Sequence, residues 1–126
     1  MTDRAVTLAS VSIDCPDPDA LARFYSRLLG LEEAFATEDR GVVGLSGAGP
    51  MLTLMRVDEY TPPSWPGGPQ HQQMHLDLAS QDLDADVAAA VALGAREADV
   101  QPSPHRWRVL LDPAGHPFCL STVLPD

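Results

Sequence analysis

The chain has 126 residues, 44% of them hydrophobic, and a formal net charge of −10. That is enough for one core of ordinary size, but eight Lys and Arg residues are too few to form the cationic patch a nucleic-acid partner requires. No apolar run approaches the roughly 20 residues that cross a bilayer, and MTDRAVTLAS lacks a cationic start followed by an apolar stretch and a cleavage site.

No membrane association is therefore expected, and a cytoplasmic protein is. Cys15 and Cys119 have no CxxC spacing and read as free thiols in a reducing compartment. The acidity keeps a positively charged small molecule among the candidate ligands.

The first periodic segment, Leu8 to Asp14, alternates, with Ala9, Val11 and Ile13 on one face and Ser10, Ser12 and Asp14 on the other. Asp17-Pro18 then supplies an N-cap acid and a proline at the first helical position. Leu21, Phe24, Tyr25, Leu28 and Leu29 trace the apolar face of a helix, and Gly30 suits its left-handed C-terminal cap. Three extended pieces follow, near Glu32 to Thr37, Val42 to Leu45 and Met51 to Val57. From Tyr60 to Gln73 the clustered Pro and Gly predict a linker or a loop lying over something.

The pattern then restarts. Met74 to Ala79 predicts a strand with Met74, Leu76 and Leu78 on one face and His75 and Asp77 on the other. Asp77 lies roughly 6 to 7 Å along the strand from His75 and is expected out of reach of a direct dyad without bending or water. Asp82 caps a second helix with Leu83, Val87, Ala90 and Val91 as its apolar positions, and Gly94 follows its end. Strands are expected near Arg96 to Val100, His105 to Leu111 and Phe118 to Leu124, the last two joined by an Asp112-Pro113-Ala114-Gly115 turn. Ser10 precedes its helix cap by the same interval as His75, so both pairs repeat at an offset of 65 residues, and Gly30 and Gly94 repeat at 64. A duplicated strand-helix-three-strand module is the simplest reading.

The run Asp17 to Leu31, DPDALARFYSRLLGL, resembles the first helix of the glyoxalase, bleomycin-resistance and extradiol dioxygenase proteins of the vicinal oxygen chelate superfamily. HLDLASQDLDA from His75 and DPAGHPFCL from Asp112 resemble the second-module entry and closing hairpin of a glyoxalase-like subgroup. The resemblance implies an α+β fold of tandem βαβββ modules, forming a curved mixed sheet around a cavity with helices outside, and a homodimer. It implies a single glyoxalase-like domain over 1–126, with module one at about 5–58, a linker at about 59–73 and module two at about 74–126.

In metal-dependent relatives, ligands come from the first and last strand of each module. Carried over by position, those places hold Ser10, Thr53, His75 and Cys119. Neutral hydroxyls bind divalent ions weakly, and a His-Cys pair holds zinc only with two more donors, for which Asp14 and Asp77 are the nearby acids. The expectation is accordingly no metal and no other cofactor.

His75 is the candidate general base. Ser10, Ser12, Asp14, Met51, Thr53, Met55, Trp65, His75, Asp77, Trp107 and Cys119 are the candidate ligand-binding residues. The methionines adapt to irregular apolar surfaces, and the tryptophans can stack a planar ligand. Cys119 reads better as a small buried hydrophobe than as a nucleophile, and His116 as a turn residue. The leading function is a metal-independent protein binding a small organic molecule, with cationic and aromatic molecules as candidates. The alternatives are a lyase, isomerase or epimerase using His75, and a non-catalytic partner-binding or regulatory module.

Overall fold

The computed structural model describes residues 6–122, and the chain divides into two compact units, 1–58 and 59–126. Each unit follows the same path. In the first, β1 (Ser10–Cys15) leads into α1 (Pro18–Leu29) and then β2 (Glu32–Ala36), β3 (Val42–Ser46) and β4 (Met51–Arg56). In the second, β5 (Leu76–Ala79) leads into α2 (Leu83–Ala92), β6 (Arg96–Glu97), β7 (Trp107–Leu111) and β8 (Pro117–Ser121).

Two four-stranded mixed sheets result, ordered β1-β4-β3-β2 and β5-β8-β7-β6. In each, the first and last strands pair in parallel and the remaining pairs are antiparallel. Among the described residues, no helix is long and apolar enough to cross a membrane.

The helix ends follow their cap chemistry. The Asp17 carboxylate accepts from the Asp19 and Ala20 N–H groups, and Gly30 closes α1 at φ 68, ψ 38. Asp82 accepts from Ala85 N–H at the start of α2. In unit one, Leu21, Phe24 and Tyr25 are at most 2% exposed and pack on the sheet face that carries Val43, Leu45 and Leu54. Leu83, Val87 and Ala90 meet Leu110, Phe118 and Leu120 in the same way. One face of each sheet is thereby covered by its own helix, and alternation along the strands puts the polar side chains on the other.

Several boundaries differ from expectation for physical reasons. β5 begins at Leu76, so Met74 is not part of a strand face and is 83% exposed. Val91 points away from the sheet, leaving α2 a narrower apolar stripe. The strand expected over Arg96 to Val100 keeps only two residues. Beyond it one backbone bond continues, from Ala98 N–H to the Val109 carbonyl, and the Gln101 amide takes the other partners, donating from Nε2 to the Ala98 and Val109 carbonyls and accepting at Oε1 from Val109 N–H. β7 starts at Trp107 because 103–106 forms a turn in which Arg106 and Trp107 both donate to the Ser103 carbonyl. β8 ends at Ser121, and the expected continuation over 123–124 lies outside the described residues.

The Asp112 to Gly115 turn forms as expected, with Gly115 N–H donating to the Asp112 carbonyl and Asp112 Oδ1 accepting from Ala114 and His116 N–H. Gly115 has φ 91, and a Cβ there would stand 2.8 Å from Pro62, so the turn and the segment before Trp65 meet at a place only glycine fits.

Candidate functional site

The open face of the second sheet carries two rows of side chains set by register. Asp77 on β5 lies beside Cys119 on β8, which lies beside Val109 on β7. One pleat further, Ala79, Ser121 and Trp107 form the next row. His75 precedes the first row, just outside β5.

A cavity of about 380 Å³ sits on this face, lined by His75, Asp77, Trp107, Val109, Pro117, Cys119 and Ser121 from the sheet side, with Trp65, Gln72 and Pro102 from loops. Five candidates from the sequence, Trp65, His75, Asp77, Trp107 and Cys119, meet here. Pro102, Val109, Pro117 and Ser121 were not anticipated, although Val109 and Ser121 follow from alternation two places from Trp107 and Cys119. Gln72 had no sequence signal.

The Pro/Gly-rich segment reaches the cavity because it folds on itself. Ser64 N–H donates to the Gln70 carbonyl, Ser64 Oγ accepts from Gln70 N–H, and Ser64 and His71 form an isolated bridge. At its base, the Tyr60 hydroxyl donates to the Ala114 carbonyl at 2.9 Å and lies 3.1 Å from His116 Nε2. Trp65 and Gln72 are thus carried on a loop anchored to the β7–β8 turn.

His75 and Asp77 meet directly, through the bending that a dyad across this spacing requires. His75 Nε2 lies 3.1 Å from Asp77 Oδ1. A side chain outside the pleat is not held perpendicular to the sheet, so the imidazole reaches along β5. A carboxylate only accepts, so Nε2 carries the proton. Both side chains are open to solvent, at 37% and 47% exposure.

The Cys119 thiol is pushed up to about 11, first by burial and then by the Asp77 carboxylate beside it. At neutral pH it is a neutral thiol and a poor nucleophile, and it is half-buried at the cavity wall rather than buried as expected.

The equivalent face of unit one carries hydroxyls. Ser12 pairs with Thr53, and Thr53 with Gly44. Ser10 Oγ and Thr53 Oγ1 are 2.6 Å apart. Met51 and Met55 flank Thr53 on the same face, Met51 half-buried and Met55 exposed, while Ser12 and Asp14 are exposed β1 residues. The Phe35 ring lies over Gly44, where a Cβ would collide with it.

The donor sets differ in what they could hold. His75, Asp77 and Cys119 place an imidazole nitrogen, a carboxylate oxygen and a sulfur all within 4.8 Å of one another. Such a mixed set suits a zinc-like ion with one position left open, with Cys119 giving up its proton on binding. The Ser10 and Thr53 hydroxyls, bonded to each other, offer nothing comparable.

A family model described as "Glyoxalase-like domain" matches residues 10–121. No curated protein matches the chain. Among solved structures, an enzyme of the glyoxalase/bleomycin resistance protein/dioxygenase family from Burkholderia phytofirmans is 20% identical, with a TM-score of 0.71 over 94% of this chain and 100% of that one.

A mutant of the fosfomycin resistance protein FosX from Listeria monocytogenes, complexed with Mn(II) and dihydroxypropylphosphonic acid, is 16% identical with a TM-score of 0.70, covering 94% and 90%. Lactoylglutathione lyase from Agrobacterium tumefaciens is 20% identical with a TM-score of 0.62, covering 95% of each chain. At these identities the likeness is one of fold, and it matches the paired βαβββ topology. The chain belongs to the glyoxalase-like domain family.

Proposed function

We propose that the chain binds a small organic molecule in the cavity of its second unit and needs no metal to do so. The observation that carries this reading is the cavity itself, about 380 Å³ in volume, with tryptophan and proline walls and His75, Asp77 and Gln72 as polar groups. Apolar walls with a few fixed polar groups are the usual make-up of a small-molecule site. The hydroxyl face of unit one, with Ser10, Ser12, Asp14, Met51, Thr53 and Met55, is a candidate ligand-binding surface of that unit. The reading includes a cytoplasmic setting, which two cysteines outside a CxxC motif suit, and a homodimer.

The test is a thermal-shift screen of tag-free protein, with its metal content measured on the same sample. Ligands at about 100 times their Kd should stabilise the fold by about 2.7 kcal/mol. If no compound raises the Tm, the binding reading fails. Stoichiometric zinc, iron, nickel or manganese would overturn its metal-free form.

The His75–Asp77 contact favours a second reading, an enzyme of the lyase, isomerase or epimerase kind. Asp77 would fix the tautomer that leaves Nδ1 free to take a proton, and would stabilise the imidazolium that forms. If a divalent ion is resident, His75, Asp77 and Cys119 are the groups to hold it, and it would supply Lewis acidity. His75→Ala separates the readings, since loss of a base lowers kcat by about 10²–10⁴ while loss of an anchor weakens only affinity.

A further inference from the structure

We infer that the ligand taken by the second unit's cavity is an aromatic ring bearing a protonated amine or amidine, an inference that rests on the small-molecule reading above. Among the described residues that line the cavity there is no Lys or Arg, and Asp77 is the one carboxylate. His75 and the Cys119 thiol each supply that carboxylate with a donor, and its two oxygens have lone pairs for more.

The Gln72 Oε1 is buried with no exposed surface to offer a ligand, so Asp77 is the group in the cavity that wants an N–H donor. An anion would meet Asp77 with no lining cation to offset the repulsion, in a chain whose net charge is −10.

The walls select the rest of the molecule. Trp65 and Trp107 are the chain's two tryptophans, and both line this cavity. Each offers a flat face to a planar ring and a negative quadrupole to a cation. The Arg106 guanidinium lies 5.9 Å from the centre of the Trp107 ring, so that ring already has its cation and serves a ligand as a stacking wall.

The experiment compares three probes that share one ring, 2-phenylethylammonium, 2-phenylethanol and 3-phenylpropionate, by calorimetry and tryptophan fluorescence with a chelator present. The cation should bind about fivefold tighter than the alcohol, with the anion weakest, a margin set by a partly exposed carboxylate. In Asp77→Asn the ratio of cation to alcohol affinity should fall to about one, and Asp77→Glu should keep it. An anion or alcohol that binds as well as the cation, or a margin that survives Asp77→Asn, overturns the inference and leaves the binding reading standing. If none of the three saturates, the binding reading falls and the inference falls with it.

Discussion

The two units share a chain path, a strand order and equivalent helix-facing residues, yet their open faces carry different chemistry. Ser10, Ser12 and Thr53 in unit one occupy the register positions that His75, Asp77 and Cys119 occupy in unit two, and Gly44 stands where Val109 does. On the covered faces the equivalents stay alike, Ile13 beside Leu54 and Leu78 beside Leu120. An apolar position packed under the helix must fill its volume whatever the protein does, whereas a polar position on the other face is free to change donor type, even where it is as buried as Thr53. The repeat thus preserves the support and varies the functional groups.

The largest effects should fall on the conserved support and fall equally. Leu54 and Leu120 are 0% and 3% exposed at equivalent positions, so Leu54→Ala and Leu120→Ala should each cost about 2–5 kcal/mol in urea unfolding. If one is silent, the units are not equivalent in their packing. A smaller loss should come from giving unit one its counterpart's residue. In Gly44→Val the new side chain meets the Phe35 ring and the Met51 methyl, at a cost of about 1–3 kcal/mol. Adding Phe35→Ala should recover part of it, and an additive double mutant would show that the ring is not what Gly44 makes room for.

The caps come next. Asp17 accepts from two N–H groups and Asp82 from one. Asp17→Ala and Asp82→Ala should each cost about 0.5–2 kcal/mol, with Asp17 the larger. The reverse order in denaturant melts would mean that tertiary packing, rather than cap bonding, decides these helix starts.

Those caps were also the most legible feature of the sequence. Asp17-Pro18, Asp82, Gly30 and the Asp112 to Gly115 turn each have a local cause, and each formed where that cause put it. The duplicated topology followed from their spacing. The site was less legible because its decisive facts are non-local.

Whether His75 reaches Asp77 depends on β5 starting one residue after His75, a boundary that alternation alone leaves uncertain by a residue or two. The shortening of β6 depends on a glutamine amide binding backbone eight residues away in sequence. Gln72 enters the cavity only because Ser64 and His71 close the loop.

The smallest expected effect concerns a feature the units share by different means. Asp19 and Glu33 in unit one are matched, at the repeat offset, by Asp84 and Glu97 in unit two, and in each pair one arginine joins the helix start to the following strand. Arg40, from the turn between β2 and β3, lies 2.8 Å from Asp19 and from Glu33. Arg108, from within β7, lies 2.8 Å from Asp84 and 3.5 Å from Glu97.

Arg108 is 19% exposed against 43% for Arg40, and its Nε also donates to the Pro104 carbonyl. Arg108→Gln should therefore lower the Tm by about 2–4 °C and Arg40→Gln by about 1–2 °C, the latter shrinking further in high salt. Asp19 is held below its ordinary value chiefly by the hydrogen bond from Arg40. A depressed carboxylate stabilises the fold above the unfolded value near 3.9 and loses that contribution as pH falls through the folded one. The difference in Tm between the wild-type chain and Arg40→Gln should thus be full at pH 7 and close toward pH 2. A difference that persists at pH 2 would place the role of Arg40 in its packing rather than in its charge.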